Sequence, residues 1–588
     1  MDHAALTVPQ ALSFAFSAYS AGKLGGAEQL CQQILASDGN HFAALHLLAI
    51  VQSALGKKTE AIKSYDRALN FRGDHPEVLS NRGVTLHELE RFEEALASYD
   101  RALAVRPDYA EALSNRGNTL RSLNRFDEAV ASYDRALAAR PDYAEAHCNR
   151  GAALQARHRF DEAIASYERA IAIRPDYVAA ICNRGGALQQ LGRFDDALAS
   201  YDRALTLAPN HAEALSNRGV TLHRLNRFED ALASYDRALM VRPNYAEAHG
   251  NRGVTLHEMR RFDEALASYA EALAARPDYA EAHFNEGLSR ALIGDYERGL
   301  QKFEWRWRAE QRDQRRDFRQ PLWLGADDIA GKTILLHAEQ GFGDTIQFAR
   351  YVPMVAARGA RVILEVQRPL RRLMDSLAGA TDIVARGEPL PAFDLHCPLL
   401  SLPLAFGTRP ETVPASAPYL RASSQDVEGW KQRLGPRRRP MIGLAWSGGP
   451  TLRHRSMKLK ALLPLLDSDR DATFVSLQKE VPSDDLPALK NQSSLLHFGH
   501  ELRDFADTAA VISQLDLVIS VDTAVAHLAG ALAKPVWVLV PFVPDWRWRF
   551  DGDDSPWYPT ARLFRQDESR AWDRVIARLR AALSELGR

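Results

Sequence analysis

The chain has 588 residues, more than a single hydrophobic core usually organises, so we expect it to fold into two or more domains. Its 74 basic and 75 acidic residues nearly cancel, which excludes the strongly basic footprint of a protein whose main partner is nucleic acid. Hydrophobic residues make up 46% of the chain and charged residues 25%, as is ordinary for soluble globular domains.

The sequence carries no signal for secretion or membrane insertion. Its N-terminal segment lacks the basic start and continuous apolar core of a signal peptide. No uncharged run approaches the ~20 residues that a helix needs to span a bilayer. The chain has four cysteines and no CxxC pair among them: Cys31, Cys148, Cys182 and Cys397. The simplest interpretation is that the protein resides in the reducing environment of the cytosol. We therefore expect a soluble, cytoplasmic protein.

A 34-residue repeat dominates the first half of the chain. The motif NRG recurs at this interval from Asn81 onwards and ends as NEG at Asn285, with the motif RF recurring in step. Weaker copies bring the count to about nine units within residues 13–316. In each unit, small and apolar residues at helical spacing predict two packed helices, and a proline such as Pro141 ends the second one.

This recurring pattern of small, aromatic and proline residues resembles the tetratricopeptide repeat. The resemblance implies a right-handed superhelix of helix pairs with a long concave groove. The asparagine of the NRG motif recurs in seven units, as Asn81, Asn115, Asn149, Asn183, Asn217, Asn251 and Asn285. Amide side chains both donate and accept hydrogen bonds, so such a ladder can hold the backbone of a bound peptide, as in the similar eukaryotic O-linked N-acetylglucosamine transferases. Alternatively, the asparagines only satisfy bonds within or between repeats.

The arginine- and tryptophan-rich segment over residues 303–323 joins the repeats to the rest of the chain. Its arginines could contact a phosphate, but we favour docking of the last repeat onto the next domain. We expect a repeat array over residues 1–318, a linker over 319–330, a first lobe over 331–435 and a second lobe over 436–588.

From Gly331 onwards, short apolar runs alternate with amphipathic segments. We predict a strand in KTILLHAE, a helix in TIQFARYVPMVAARG that ends at Gly359, and a second strand in ARVILEV, an order typical of parallel sheets. Further strands are predicted in ATDIVARG, FDLHCPL, MIGLAWSGG, ATFVSLQK, LLHFG, LDLVISVD and KPVWVLVP. Neither lobe contains GxGxxG or a P-loop motif, so a dinucleotide-binding or ATPase function is disfavoured.

The segment DFADTAAVISQLDLVISVDTAVAHLAGALAKPVWVLVP resembles the nucleotide-binding signature of the lipopolysaccharide heptosyltransferase family. The resemblance implies two Rossmann-like lobes of the GT-B type and a nucleotide-diphosphate sugar as co-substrate. It also implies donor contacts from Asp522, Thr523, Ala524 and His527, because a helix N-terminus after a parallel strand favours a diphosphate. Alternatively, Asp522 or Thr523 only caps the helix and His527 lies in the core. Ala524 departs from the family, which has glycine there.

A second match to this family is EQGFGDTIQFARYVP, which follows the first predicted strand. Gly341 and Gly343 allow a close backbone approach, and Asp344 begins a helix where ligands bind in α/β sheets. In the family, an aspartate in the equivalent turn is the proposed general base. The resemblance therefore implies that Asp344 deprotonates the acceptor hydroxyl, which then displaces the nucleotide diphosphate with inversion.

Two further elements are less specific. Arg455 and Ser456 resemble the basic element that contacts donor phosphates in this family, and Lys458 or Lys460 could substitute for it. Gln478 and Lys479 lie at the carboxyl end of a predicted strand and are expected to face the cleft. For each pair, a solvated surface position is the alternative. The DGDD segment could indicate a carboxylate metal site, but transferases of this type usually neutralise the diphosphate with dipoles and bases, so we expect no metal.

The sequence is consistent with two functions. The first is a repeat-guided glycosyltransferase that moves a sugar from a nucleotide-sugar donor to a protein or glycan, with the repeats binding the acceptor. The second is a non-catalytic adaptor whose transferase domain is degenerate. We favour the enzyme, because both Asp344 and the Asp522-Thr523 turn with His527 are retained. Since heptosyltransferases lack a repeat array, heptose and lipopolysaccharide are not inferred as substrates.

Overall fold

The computed structural model describes residues 7–309, 315–436, 440–449, 455–466 and 472–586. Arg312 of the predicted joining segment therefore lies outside the described residues, as does the stretch between Gly449 and Arg455. The chain forms two compact units, Met1–Pro243 and Asn244–Arg588.

The first unit consists of helix pairs, one pair for each repeat. These helices are α1 (Val8–Ser20), α2 (Leu24–Ser37), α3 (Phe42–Ala54), α4 (Lys58–Arg72), α5 (Pro76–Glu88), α6 (Phe92–Val105), α7 (Ala110–Ser122), α8 (Phe126–Ala139), α9 (Ala144–Ala156), α10 (Phe160–Ile173), α11 (Val178–Gln190), α12 (Phe194–Leu207), α13 (Ala212–Arg224) and α14 (Phe228–Val241). Apolar faces of consecutive helices form its core, so each repeat is buried mainly by its neighbours.

The glycine of the NRG motif sets how closely the two helices of a repeat approach. A Cβ atom on Gly117 of α7 would lie 2.6 Å from the ring of Tyr133 on α8, and the same clash recurs in the neighbouring repeats. Tyr133 is fully buried against this glycine. Only a residue without a Cβ fits there, which explains the glycine in every copy of the motif.

The arginine of the motif links each repeat to its neighbour. Arg116 donates from Nε to Asp100 Oδ1 of the preceding repeat (2.7 Å) and from Nη1 to Ser132 Oγ of its own repeat (2.7 Å). Arg150 makes the same two contacts one repeat later. The arginine is therefore used inside the array.

The second unit begins with two more repeats and continues into two parallel sheets. Its repeat helices are α15 (Ala246–Glu258), α16 (Phe262–Ala275), α17 (Ala280–Leu292) and α18 (Tyr296–Phe303). The first sheet has the order β3-β2-β1-β4, with β1 (Thr333–His337), β2 (Arg361–Val366), β3 (Ala380–Ala385) and β4 (Leu395–Pro398). The second has the order β10-β9-β8-β5-β6-β7, with β5 (Met441–Ala445), β6 (Thr473–Ser476), β7 (Leu495–His497), β8 (Leu517–Val521), β9 (Val536–Val540) and β10 (Ala561–Arg565).

Helices flank both sheets. They are α19 (Phe342–Phe348), α20 (Val352–Ala357), α21 (Arg371–Met374), α22 (Leu402–Ala405), α23 (Ser424–Leu434), α24 (Leu459–Leu466), α25 (Leu486–Lys490), α26 (Phe505–Ser513), α27 (Ala524–Ala531) and α28 (Asp573–Leu586). Every residue of β5, β8 and β9 is buried, as expected for parallel strands covered on both faces. The predicted fold class, a helical repeat array followed by an α/β region, is confirmed.

Two local predictions differ from the structure. The helix predicted to end at Gly359 is divided into α19, a 3₁₀ turn over Ala349–Tyr351 and α20, and Pro353 stands in the first turn of α20. Strand β10 was not predicted, because Arg562 and Arg565 interrupt its apolar pattern.

A buried arginine fastens the last repeat to the first sheet. Arg306 is fully buried in the 3₁₀ turn after α18, and its Nη2 donates to Glu339 Oε1 (3.0 Å) and Ser401 Oγ (2.8 Å). Its Nη1 donates to Glu304 Oε1 (2.6 Å). Burial raises the pKa of Glu339 to about 7, although Arg306 opposes the shift. This arginine of the predicted joining segment therefore makes a docking contact.

The glycine–tyrosine contact gives a stability prediction. We expect Gly117→Ala to lower the free energy of unfolding by about 1–3 kcal/mol, because the overlap with Tyr133 outweighs the gain in helix propensity. Gly26→Ala is the matched control, since its Cβ atom would meet nothing within 4 Å in α2. Urea unfolding followed by far-ultraviolet circular dichroism measures both. Equal midpoints for Gly117→Ala and the unmodified chain would contradict the steric explanation.

Candidate functional site

The loop after β1 carries the first group of predicted site residues. Gly341 precedes α19, and its backbone N–H donates to Asp344 Oδ2 (2.9 Å), so Asp344 caps the helix start. A Cβ atom on Gly343 would lie 2.8 Å from His527 Cδ2. The close approach that Gly343 permits is therefore to α27 of the second sheet.

The other oxygen of Asp344 binds an arginine that follows the second sheet. Arg547 donates from Nη2 to Asp344 Oδ1 (2.5 Å) and from Nη1 to Asp545 Oδ1 (2.8 Å). It lies in a 3₁₀ turn over Trp546–Trp548, after β9. The Arg547 guanidinium thus joins two carboxylates, one that follows a strand of the first sheet and one that follows a strand of the second.

The contacts continue to the predicted donor turn. Arg455, in the loop after β5, binds Asp545 Oδ2 (3.1 Å) and Asp522 Oδ2 (2.8 Å). Asp522 comes directly after β8. We name Asp344, Arg547, Asp545, Arg455 and Asp522 the ion-pair chain. Its members meet because β9, β8 and β5 are neighbours in a parallel sheet, whose carboxyl ends lie at one edge.

The ion-pair chain is poorly exposed, so its charges interact strongly. The side chains of Asp522 and Arg547 are 3% and 7% exposed. Burial alone would raise the pKa of Asp545, but Arg547 and Arg455 outweigh it and hold that pKa well below its usual range. Burial raises the pKa of Asp522, although Arg455 opposes the shift.

His527 lies in the core beside the ion-pair chain. Its Nδ1 is 3.1 Å from the Tyr558 hydroxyl, its ring stacks on Trp548 at 5.2 Å between centroids, and its Nε2 is 3.8 Å from Asp522 Oδ1. Burial, reinforced by the charge of Arg547, lowers the pKa of His527 to about 3. The imidazole is therefore neutral at physiological pH.

Thr523 and Ala524 form the start of α27. Thr523 has extended backbone angles, and its hydroxyl is 3.1 Å from Ser520 Oγ rather than bonded to the helix N–H groups. Among the described residues, no side chain caps this helix. Its first N–H groups keep their capacity for an anion.

The remaining predicted donor residues lie outside the ion-pair chain. Gln478 accepts from the backbone N–H of Ser447 (3.2 Å) and donates to its carbonyl (2.9 Å), and Ser456 Oγ accepts from Gly448 N–H (3.1 Å). Both side chains therefore brace the loop after β5. Lys479 instead donates to the carbonyl of Arg503 (2.7 Å).

Asp545 and Arg547 were not among the site residues predicted from the sequence. They stand in the segment PDWRW, directly after an apolar strand, and that position was the available signal. The neighbouring DGDD segment was instead weighed as a metal site. Within the described ranges, no group of three or more His, Cys, Asp or Glu side chains is placed to hold a metal ion.

The seven predicted groove asparagines lie in the first helices of their repeats, five in the first unit and two in the second. Asn81 Nδ2 is 3.2 Å from His46 Nε2, and Asn183 Nδ2 is 3.8 Å from Cys148 Sγ, both in the preceding repeat. The other five amides make no side-chain hydrogen bond to the described part of the chain. Both interpretations of the ladder, peptide binding and inter-repeat bonding, thus stay open.

The neutral state of His527 predicts acid lability. Because its pKa is about 3 when folded and about 6.5 when unfolded, the unfolded chain binds the proton first and stability falls as pH drops below 6.5. Between pH 7 and 5, we expect the unmodified chain to lose about 2 kcal/mol more stability than His527→Asn does. His500→Asn, at an exposed histidine, is the control.

Tryptophan fluorescence can follow this transition, because all 10 tryptophans belong to the second unit. Unfolding midpoints in urea at pH 7, 6 and 5 measure the difference. An equally steep loss of stability in His527→Asn would contradict the assignment of a neutral buried imidazole.

No described helix combines the length and the apolar character that crossing a bilayer requires.

Tetratricopeptide-repeat family models match the chain over residues 18–80, 85–121, 117–157, 144–177, 182–249 and 251–305. A further model, glycosyltransferase family 9 (heptosyltransferase), matches residues 503–571. That match includes α27 and the segment with Asp545 and Arg547.

Similar proteins match parts of the chain. Protein FlbA of Caulobacter vibrioides is 26% identical over 291 residues, which are 45% of this chain and 48% of FlbA. The chain thus spans about half the length of that relative. A solved tetratricopeptide repeat protein from Parabacteroides merdae is 22% identical, with a TM-score of 0.35 over 42% of this chain and 98% of its own.

YrrB, a solved tetratricopeptide repeat protein described as having an unusual peptide-binding site, is 26% identical. Its TM-score is 0.28, over 31% of this chain and 95% of its own. Taken together, the family models match tetratricopeptide repeats at several places within residues 18–305 and glycosyltransferase family 9 (heptosyltransferase) over residues 503–571 of the α/β region.

Proposed function

We propose that the protein is a glycosyltransferase that moves a sugar from a nucleotide-diphosphate donor to a hydroxyl of a protein or glycan, with the repeats binding the acceptor. The observation that carries this proposal is the ion-pair chain. It connects Asp344, after β1 of the first sheet, to Asp522, after β8 of the second. Ligands of parallel α/β sheets bind at these carboxyl ends, so one substrate can contact both.

The donor diphosphate is proposed to bind at the start of α27. The uncapped N–H groups and the helix dipole favour an anion there, and Thr523 has a hydroxyl beside them. Arg455 and Arg547 supply positive charge within the same network. We expect these two guanidiniums, rather than a metal ion, to neutralise the charge that develops on the leaving diphosphate.

On the acceptor side, Asp344 is proposed as the general base. Its carboxylate takes the proton of the acceptor hydroxyl while that oxygen attacks the anomeric carbon from the face opposite the leaving group. The bond between the anomeric carbon and the diphosphate oxygen breaks as the new glycosidic bond forms, and the configuration inverts. The buried pair of Glu339 and Arg306 supports the loop that carries this base.

The repeats are proposed to hold an extended peptide segment of the acceptor. The motif arginine, as in Arg116 and Arg150, bonds between helices, whereas five of the seven motif asparagines make no side-chain hydrogen bond to the described part of the chain. An amide pairs with any peptide backbone, so this surface would accept varied sequences.

One observation favours the second candidate function, a non-catalytic adaptor. Both carboxylate oxygens of Asp344 are already bonded, one to Gly341 N–H and one to Arg547. A base in this state does not accept a proton from an acceptor until one contact is released. Transfer activity distinguishes the two functions.

The first prediction concerns the donor. We expect at least one sugar conjugate of UDP, GDP or ADP to raise the melting temperature of the full chain, because a ligand that binds only the folded state stabilises it. Asp344→Asn should keep this binding and lose transfer or donor hydrolysis by about 100-fold or more. Asp375→Asn, at an exposed aspartate of the first lobe, is the control. Absence of any donor binding would support the adaptor.

The second prediction concerns the repeats. Asn115→Ala with Asn149→Ala should reduce transfer to a random peptide library by about 10-fold, because two backbone hydrogen bonds are lost. Hydrolysis of the donor should stay unchanged. The control is Asn70→Ala with Asn210→Ala, at exposed asparagines outside the motif. Equal transfer by both double variants would contradict peptide binding by the ladder.

A further inference from the structure

Arg547 is a buried arginine with one N–H donor that has no acceptor among the described residues. Its side chain is 7% exposed, and its two terminal nitrogens bind Asp344 and Asp545. Its Nε is buried and has no hydrogen-bond partner in the described part of the chain. A buried N–H without an acceptor is destabilising, and native proteins leave few of them.

The surroundings of Arg547 indicate which kind of ligand its guanidinium would bind. Asp545, which Arg547 binds, also binds Arg455 of the loop after β5, and Arg455 in turn binds Asp522. Asp522 belongs to the turn before α27, whose first N–H groups have no side-chain cap among the described residues. A diphosphate offers several anionic oxygens, and the planar fork of an arginine pairs well with phosphate. An anion at the start of α27 would therefore compete with Asp344 for the same guanidinium.

We propose that Arg547 binds the donor diphosphate and, in doing so, releases Asp344 to act on the acceptor. This inference rests on the function proposed above. Without the donor, Arg547 occupies Oδ1 of Asp344 while the Gly341 N–H occupies Oδ2. When the guanidinium turns to the diphosphate, Oδ1 becomes free for the acceptor hydroxyl. Oδ1 of the base is thus released from its arginine only when the co-substrate is bound.

The backbone around Arg547 is held by hydrogen bonds that do not involve the Arg547 guanidinium. Arg565 of β10 donates to the carbonyls of Trp548 (2.8 Å), Arg549 (2.9 Å) and Gly552 (2.6 Å). Asp545 also accepts from the backbone N–H of Arg547 (3.1 Å). These bonds hold the main chain on both sides of the turn, and none of them needs the Arg547 guanidinium.

The test measures the affinity of the full chain for the nucleoside diphosphate, among UDP, GDP and ADP, that gives the largest thermal shift. Arg547→Gln should weaken binding by about 10- to 100-fold, because a charge-assisted contact to phosphate is lost. Asp344→Asn should tighten it by about 3- to 10-fold, because the competing carboxylate is gone. The double variant should not show this gain.

The matched control is Arg549→Gln, two residues further along the same loop, whose side chain is 41% exposed and pairs with Asp551. It should bind within twofold of the unmodified chain. Arg547→Lys keeps the charge and serves as a second variant if Arg547→Gln does not fold. It should fall between Arg547→Gln and the unmodified chain.

Two results would overturn the inference while the proposed function stands. One is an affinity that Asp344→Asn leaves unchanged or weakens, and the other is full affinity in folded Arg547 variants. If none of the three nucleotides binds the unmodified chain, the proposed function and the inference fail together. The binding of the unmodified chain therefore separates the two failures.

Discussion

The contact between Arg547 and Asp344 is the interaction on which the candidate site depends, because it joins the loop after β1 to the loop after β9. Burying a charge is costly unless it is paired, and a single buried ion pair often adds little net stability. Here each arginine is shared by two carboxylates, so the pairing continues through Asp545 and Arg455 to Asp522. Such a network fixes the relative positions of two loops more than it stabilises either of them.

A second buried pair holds the same loop from the side of the repeats. Arg306, at the end of the last repeat, binds Glu339, which stands a few residues before Asp344. The loop that carries the proposed base is thus held from the repeats by one arginine and from the second sheet by another. Removing Arg306 would leave Glu339 buried without its partner, which costs more than losing a surface pair. The last repeats and the two sheets therefore belong to one structural core.

Much of this fold could be predicted, because periodic patterns determine it locally. A period of 34 residues identifies the repeats, and most strands are continuous apolar runs. The candidate site was harder to predict, since Arg547 and Asp344 are 203 positions apart and nothing in their local patterns pairs them. Gly343 was expected to allow a close backbone approach, but its local pattern did not show that His527 is the side chain beside it. Strand β10 was missed because Arg565 serves to bind loop carbonyls.

The loop after β1 and the turn before α27 are proposed to serve one reaction through Arg547. A crystal structure of the full chain with a bound nucleoside diphosphate would show whether they do. We expect the diphosphate at the N-terminus of α27, with the guanidinium of Arg547 on a phosphate oxygen and Oδ1 of Asp344 free. A nucleotide bound elsewhere, or a phosphate at α27 with Arg547 still on Asp344, would rule out this role of Arg547.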